Sequence, residues 1–333
     1  MTLQRIAVVG AGAWGTALAH LVARAGRDVI LWGRDLSVIA AVTRTRENPR
    51  YQSGLSIDPA VLATANIKEL QHAETVLLAV PAQEVRVVAR QITDAELPAV
   101  PVLCCAKGLE VSTGLLMSEV LEEELPDRHI GCLSGPTFAG EAMRGMPTAV
   151  TLAMADRGLG GELARSLGTT TFRPYLSGDV IAAEVGGAVK NVLAIACGIA
   201  NGLGFGENTR ATLITRGLAE MSRFAEALGG RAESMAGLAG LGDLAMTCGS
   251  HQSRNFQFGE ALGQGRALAD VLAAAGGVIE GRHTAEAVTT RAQTLDVELP
   301  ICGAVDHVLN RDGNLRVAIE RLMNRPLRAE IDG

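Results

Sequence analysis

A glycine-rich turn near the start of the chain constrains its fold more than any other feature. Residues 5–35 read RIAVVGAGAWGTALAHLVARAGRDVILWGRD, with a GxGxxG pattern at Gly10, Gly12 and Gly15. The pattern follows a short apolar run typical of a buried strand and precedes an alanine- and leucine-rich helical run. A second apolar run then completes a βαβ unit of about 30 residues. We therefore predict a dinucleotide-binding unit, with an ordinary βα turn as the alternative.

Each glycine has a separate physical role in such a turn. Gly10 permits the tight turn, Gly12 lets the backbone approach a pyrophosphate, and Gly15 lets the helix pack closely on the strand. The free N–H groups and the positive dipole end of the helix then bind the anion.

The end of the second strand bears on the choice of nicotinamide coenzyme. This stretch reads Trp32-Gly33-Arg34-Asp35. An NAD site usually has an acid here that binds the ribose 2′-hydroxyl. Arg34 could pair with a 2′-phosphate, whereas Asp35 comes late enough to point away. We therefore predict NADPH in preference to NADH, with a solvated turn residue as the alternative role for Arg34.

Composition excludes several classes of protein. A chain of 333 residues is long for one hydrophobic core, so two domains are expected. Aromatic residues make up 3% and the net charge is −6, so the stacked rings and basic surface of a nucleic-acid-binding protein are not expected. The six cysteines lack CxxC spacing or a histidine pattern, which favours reduced core residues in a cytoplasmic protein over disulfides or metal ligands. We predict no metal site.

Strand-like and helix-like segments alternate up to about Ser177, and only helices are predicted beyond it, among them one over Ser234 to Met246. After the first βαβ unit, the predicted strands are Glu74 to Val80, Val102 to Cys105, Ile130 to Leu133, Thr148 to Met154 and Thr170 to Phe172. Such alternation is typical of a doubly wound parallel sheet. We predict an α/β protein with an N-terminal Rossmann domain over residues 1–176 and a C-terminal all-α domain over residues 177–333. The ligand cleft is expected between them.

A long apolar segment in the second half resembles a membrane span in length. It runs from Val185 to Leu203 but contains Lys190, Asn191 and Asn201 together with several glycines. We therefore predict a buried helix and no membrane span.

Two lysines are candidate site residues. Lys190 is the only charged residue between Glu184 and Glu207, so it needs an exit to solvent, a carboxylate partner or a function. As a catalyst it would exchange a proton with a substrate oxygen, and burial could lower its pKa toward ~7–8, which suits acid–base chemistry. Lys107 follows a predicted strand, at the end where doubly wound sheets bind ligands. The alternatives are a salt-bridged or snorkelling Lys190 and a solvent-exposed turn at Lys107.

Polar groups also interrupt apolar or glycine-rich sequence further along the chain. Asp243 lies in SMAGLAGLGDLAMTCGS and is either a site residue or a helix N-cap. Ser253, Arg254 and Asn255 combine a hydroxyl, a guanidinium and an amide just before a helix predicted to begin near Phe256. That combination suits a phosphate group, with helix capping as the alternative for Ser253 and Asn255.

Longer motifs extend nearly end to end along the chain. They are GAGAWGTALA at 10–19, AVPAQEV at 79–85, CAKGLE at 105–110, SGPTFAGE at 134–141, EVGGAVKNVLAIACGIANGLGFGENTRATLITRGLAEM at 184–221, AGLGDLAMTC at 239–248 and QSRNFQFG at 252–259. With these motifs the chain resembles the bacterial NAD(P)-dependent glycerol-3-phosphate dehydrogenases. The family often has basic residues after the asparagine of the last motif, whereas Phe256 and Gln257 follow it here.

The resemblance implies a function and a set of site residues. It implies reduction of dihydroxyacetone phosphate to sn-glycerol 3-phosphate by NADPH or NADH, for glycerophospholipid synthesis, in a homodimer whose proton donor and acceptor is Lys190. Implied substrate-binding residues are Lys107, Gly135, Thr137, Lys190, Asp243, Ser253, Arg254 and Asn255. Implied coenzyme-binding residues, besides Gly10, Gly12 and Gly15, are Ala13, Trp14, Arg34, Lys107, Ala139, Arg254, Val278 and Glu280.

Two other functions remain compatible with the residues alone. A related two-domain NAD(P) dehydrogenase for a keto or hydroxy acid would use a lysine, but it would not need the Ser-Arg-Asn phosphate set. A non-catalytic NADPH-binding protein would have no use for Lys190 and Asp243 in an apolar helical domain.

Overall fold

The structure is a computed structural model that describes residues 3–326. Its strands are β1 (Arg5–Val9), β2 (Asp28–Trp32), β3 (Glu47–Asn48), β4 (Gln52–Ser56), β5 (Val61–Thr64), β6 (Thr75–Leu78), β7 (Val102–Cys104), β8 (Ile130–Ser134), β9 (Thr148–Met154) and β10 (Phe172–Ser177). Its α-helices are α1 (Ala13–Arg24), α2 (Leu36–Thr45), α3 (Val85–Asp94), α4 (Met117–Glu124), α5 (Ala139–Met143), α6 (Arg157–Leu167), α7 (Val180–Gly202), α8 (Glu207–Ala227), α9 (Asp243–Cys248), α10 (Arg254–Gly263), α11 (Leu268–Ala274), α12 (Glu280–Thr294), α13 (Pro300–Asn310) and α14 (Leu315–Met323).

Eight of the strands form one sheet in the order β10-β9-β8-β7-β6-β1-β2-β5. Strand β1 pairs in parallel with β2 and β6, and the one antiparallel pair within this sheet is β8 with β9. Strands β1 and β6 are buried along almost their whole length because helices cover both faces of the sheet. The predicted fold class is therefore confirmed: a Rossmann sheet precedes a part that is helical throughout the described residues after Ser177.

The structure differs from the sequence-based prediction in several places. Helix α2, the β3–β4 hairpin and strand β5 were not predicted. Strand β4 reads QSGLS and is largely exposed, so it lacks the apolar pattern of a buried strand. The strand predicted at Thr170 to Phe172 begins at Phe172 instead, because the Thr169 hydroxyl accepts from the Phe172 N–H at 2.9 Å and holds a turn there.

The helix predicted over Ser234 to Met246 is divided into three pieces. These are a 3₁₀ segment at Ala232–Ala236, a π-helical turn at Leu238–Gly242 and α9. A Cβ at Gly240 would lie 2.1 Å from the Met235 carbonyl oxygen, so this break in the helix requires glycine at position 240.

Helix α7 is the core of the helical part. It passes the length and hydropathy criteria for a membrane span, yet 83% of its most apolar window is buried inside this structure. It packs against α8, α9, α10 and α12. Its contact with α10 is very close, since a Cβ at Gly198 would lie 2.1 Å from the Phe256 carbonyl oxygen. The buried helix predicted from sequence is confirmed, and all six cysteines are buried free thiols.

A buried carboxylate connects the two parts of the chain. Glu184 on α7 accepts hydrogen bonds from the Ser118 N–H at 2.9 Å and the Ser118 hydroxyl at 2.5 Å, at the start of α4. Burial raises the pKa of the Glu184 carboxyl to about 7, although both hydrogen bonds act in the opposite direction. The contact lies six residues before Lys190 on the same helix.

This raised pKa has a consequence for stability. The folded state holds a proton that the unfolded chain releases between the ordinary glutamate pKa of 4.5 and about 7, so stability falls as pH rises through that window. We expect Glu184→Gln to remove this loss. Relative to the variant, the wild type should lose about 2–3 kcal/mol of unfolding free energy between roughly pH 5 and pH 8, measured by urea denaturation. Glu226→Gln, an exposed site on α8, is the matched control. An unchanged pH dependence in Glu184→Gln would contradict this assignment.

Candidate active site

The glycine turn between β1 and α1 has the geometry predicted for a dinucleotide. Gly10 has φ +116°, and a Cβ there would lie 2.4 Å from the Ala79 carbonyl oxygen. A Cβ at Gly15 would lie 1.8 Å from the Gly10 carbonyl oxygen, so both positions require glycine. Gly12 has no heavy atom within 4 Å of its Cβ position, and no side chain caps α1 there. The first turn of α1 therefore presents free N–H groups to open space.

A hairpin that sequence reasoning missed is fastened to this turn. The buried Asn48 amide donates to the Ala11 carbonyl at 3.0 Å and to the Thr16 hydroxyl at 2.8 Å. The Gln52 amide donates to the Ala13 carbonyl at 3.4 Å. The Asn48-Pro49 pair is a turn signal that the sequence offered. The sequence did not show which groups the Asn48 and Gln52 amides bind.

The two charged residues that follow β2, Arg34 and Asp35, both form ion pairs, and Asp35 also caps a helix. Arg34 contacts Glu84 with an Nη1–Oε2 distance of 2.6 Å. Asp35 caps α2, since its Oδ1 accepts from the Ser37 and Val38 N–H groups. Its Oδ2 pairs with Arg50 at 2.7 Å. The carboxylate of Asp35 is thus occupied on both oxygens.

One buried carboxylate holds the two candidate lysines together. Asp243 is fully buried; its Oδ1 accepts from Lys190 Nζ at 2.8 Å and its Oδ2 from Lys107 Nζ at 2.5 Å. Lys190 also donates to the Thr247 hydroxyl at 2.9 Å, and Lys107 to the Gly135 carbonyl at 3.0 Å. Asp243 is the first residue of α9 and does not act as an N-cap through its side chain.

The electrostatics of this cluster favour an anionic ligand. Burial, together with the charge on Lys107, lowers the pKa of Lys190 to about 8 against the attraction of Asp243. Burial alone would raise the pKa of Asp243, but the two ammonium groups outweigh it and hold that pKa below its usual range. Two ammonium groups and one carboxylate leave a net positive charge.

A glycine on α7 allows the two parts of the chain to meet at this cluster. A Cβ at Gly187 would lie 2.6 Å from the Ser134 Oγ and 3.3 Å from Lys107 Cγ. The Ser134 hydroxyl is buried without a hydrogen-bond partner among the described residues. Gly135 has φ +147°, and its carbonyl also accepts from the Thr137 hydroxyl at 3.3 Å. The sequence alone did not single out Gly187 or Ser134.

Ser253 and Arg254 begin helix α10. Ser253 is the N-cap, and its hydroxyl accepts from the Phe256 N–H at 3.2 Å. Arg254 is exposed, and a Cβ at Gly277 would lie 3.1 Å from its Nη1, so its guanidinium reaches the loop that carries exposed Val278. The predicted start of this helix at Phe256 was two residues late.

Asn255 and Glu280 connect elements that are distant in the sequence. The Asn255 amide donates to Asn191 Oδ1 at 3.0 Å, and its oxygen accepts from the Gly281 N–H at 3.2 Å. Glu280 Oε1 accepts from the Ala82 N–H at 3.4 Å, while its Oε2 is buried without a partner among residues 3–326. Burial raises the pKa of the Glu280 carboxyl.

The remaining predicted residues have packing roles visible in the structure. Trp14, in the first turn of α1, and Ala139, which begins α5, pack partly buried against the same apolar cluster. Ala13 begins α1. Phe256 lies in the core of the helical part, and Gln257 donates to the His251 carbonyl at 2.5 Å. Within the described part of the chain, no three His, Cys, Asp or Glu side chains could together hold a metal ion.

A dinucleotide turn in the Rossmann part and a buried lysine in the helical part are the features of two-domain dehydrogenases that use a nicotinamide coenzyme. Comparison with known proteins identifies the family within this class. Residues 5–159 match the family model for the N-terminus of NAD-dependent glycerol-3-phosphate dehydrogenase, and residues 179–320 match the model for its C-terminus.

Individual proteins agree with these matches. A glycerol-3-phosphate dehydrogenase (NAD(P)+) from Rhodospirillum rubrum is 53% identical over 329 residues, covering 98% of this chain and 94% of that protein. One from Parvibaculum lavamentivorans is 47% identical and covers 99% and 100%. The crystal structure of glycerol-3-phosphate dehydrogenase from Coxiella burnetii has a TM-score of 0.93 at 36% identity, covering 97% of this chain and 99% of that one. The chain belongs to the NAD-dependent glycerol-3-phosphate dehydrogenase family.

Proposed function

We propose that this protein reduces dihydroxyacetone phosphate to sn-glycerol 3-phosphate, reversibly, with NADPH and also with NADH. The product would feed glycerophospholipid synthesis. The observation that carries the proposal is the buried Lys190–Asp243–Lys107 cluster, which joins the dinucleotide-binding half of the molecule to the helical half.

The residues present fit a nicotinamide coenzyme. Open space at Gly12 and the uncapped start of α1 suit a pyrophosphate, while the unpartnered Glu280 Oε2 suits a hydroxyl or amide donor of the coenzyme. When bound, the nicotinamide supplies the hydride for the carbonyl carbon. We assign coenzyme contacts to these residues and, following the family motifs, to Ala13, Trp14, Gly15, Arg34, Lys107, Ala139, Arg254 and Val278.

Lys190 protonates the substrate oxygen in this proposal. Its ammonium group has three protons, of which two are donated to Asp243 and Thr247. The third is left for the carbonyl oxygen, where negative charge develops as hydride arrives. A pKa of about 8 keeps Lys190 mostly protonated at neutral pH and still able to release its proton.

The other residues bind the substrate around that ammonium group. Lys107 orients the carbonyl oxygen or the phosphate, and Asp243 fixes both amines. The phosphate is bound by Arg254, by the Ser253 hydroxyl and by the free N–H groups that begin α10. Asn255, Gly135 and Thr137 complete the substrate site.

Three further proposals concern organisation. We place the coenzyme domain at residues 1–176 and the substrate domain at residues 177–333, which is consistent with the end of β10 at Ser177. We propose a homodimer on the basis of family resemblance, to be measured by light scattering. We propose a cytoplasmic location, because six buried free thiols suit a reducing compartment.

The direct test is Lys190→Met, assayed by the nicotinamide absorbance with dihydroxyacetone phosphate. Without a proton donor at the carbonyl oxygen, we expect turnover to fall by at least about 10²-fold. NADPH binding should stay within a few-fold. The chain has only three lysines, and Lys68→Met at an exposed position is the matched control. Wild-type turnover in Lys190→Met would remove this lysine from the mechanism.

The phosphate assignment is tested separately with Arg254→Ala. Loss of a charge-assisted hydrogen bond is expected to raise the KM for dihydroxyacetone phosphate by about 10- to 100-fold, with a smaller change in kcat. Arg266→Ala, just beyond the other end of α10 and exposed, is the control. An unchanged KM would place the phosphate elsewhere. Equal rates on an unphosphorylated ketone would favour the related keto-acid dehydrogenases instead.

A further inference from the structure

The acid nearest to the end of β2 is not available to a ribose hydroxyl. Asp35 Oδ1 accepts from two backbone N–H groups at the start of α2 and from the Ser37 hydroxyl at 2.6 Å. Its Oδ2 is paired with Arg50 at 2.7 Å. The Asp35 carboxylate, which would otherwise select NADH, therefore caps α2 and pairs with Arg50.

The hairpin that carries Arg50 is fixed beside the coenzyme turn. Asn48 and Gln52 flank the hairpin's connecting residues, and their amides donate to the Ala11 and Ala13 carbonyls. Asn48 is fully buried. Arg50 lies between these two anchors, so its guanidinium is restricted to the region between the glycine turn and the end of β2.

The side chains of Arg34 and Arg50 are held only by weak, exposed ion pairs. Arg34 and Arg50 have side chains that are 73% and 61% exposed, and each pairs with one carboxylate, Glu84 and Asp35. Exposed ion pairs of this kind contribute about 0–1 kcal/mol, so a doubly charged phosphate can replace the carboxylates. The guanidinium of Arg50 also lies 5.3 Å from the Tyr51 ring centroid, which limits its motion.

We propose that Arg50 is a second specificity-determining residue, which binds the 2′-phosphate of NADPH together with Arg34. This inference rests on the function proposed above. Asp35 holds Arg50 in place before the coenzyme binds and competes with the phosphate for it. Two guanidinium groups from different elements then distinguish a 2′-phosphate from a 2′-hydroxyl.

The first test is Arg50→Gln, with binding of 2′,5′-ADP and 5′-AMP measured by calorimetry. We expect affinity for 2′,5′-ADP to fall about tenfold, or about 1.4 kcal/mol, and affinity for 5′-AMP to change less than about twofold. The ratio of kcat/KM for NADPH to that for NADH should fall similarly. Arg5→Gln is the matched control, since Arg5 also forms an exposed ion pair but lies at the opposite end of β1.

A second variant separates binding from a merely structural role. Asp35→Asn keeps a residue that caps helices well but frees Arg50, so affinity for 2′,5′-ADP should rise about two- to fivefold. If the ion pair only supported the hairpin, Asp35→Asn and Arg50→Gln would both weaken binding.

The outcomes distinguish this inference from the proposed function. Wild-type affinity for 2′,5′-ADP in Arg50→Gln, or an equal loss for 5′-AMP, overturns the role of Arg50 while reduction of dihydroxyacetone phosphate by the wild type continues. Weaker binding of 2′,5′-ADP in Asp35→Asn also overturns it. A wild type that binds neither nucleotide and reduces no substrate contradicts the proposed function itself.

Discussion

The site depends on one carboxylate that is shared by two ammonium groups. Asp243 has no exposed surface, and burying it unpaired would cost several kcal/mol. Lys107 from the loop after β7 and Lys190 from α7 satisfy it on separate oxygens. The same contact therefore joins the two parts of the chain and fixes both amines. Because one negative charge faces two positive charges, the cluster remains attractive to an anionic substrate. Burial, together with the charge on Lys107, keeps the pKa of Lys190 at about 8, within reach of neutral pH.

The coenzyme-binding half depends on close contacts between backbones. Gly10 and Gly15 let β1, α1 and the end of β6 approach more closely than any side chain permits. The buried amide of Asn48 then attaches the β3–β4 hairpin to this turn. A glycine on α7 has a similar role, since the absence of a side chain at Gly187 leaves room for the Lys107 side chain beside that helix. A chain with 3% aromatic residues thus builds its candidate site largely from close contacts at glycines.

Sequence reasoning succeeded where a pattern is local. The apolar runs of β1 and β6 are buried on both faces, so they read as strands, and Lys190 is conspicuous because nothing charged surrounds it. It failed where the determinant is a distant partner. The pairing of Lys107 with Asp243 spans 136 residues, and no spacing rule predicts it. Strand β4 is short and polar, so the hairpin that positions Arg50 left only a weak turn signal.

The most direct test of the central claim is the pH dependence of kcat/KM in both directions of the reaction. Reduction requires protonated Lys190 and oxidation requires the free amine, so the group with pKa of about 8 should act oppositely in the two. We expect the rate of dihydroxyacetone phosphate reduction to fall, and that of glycerol 3-phosphate oxidation to rise, through about pH 8. Inflections of the same sign in both directions, or none between roughly pH 7 and pH 9, would contradict the account.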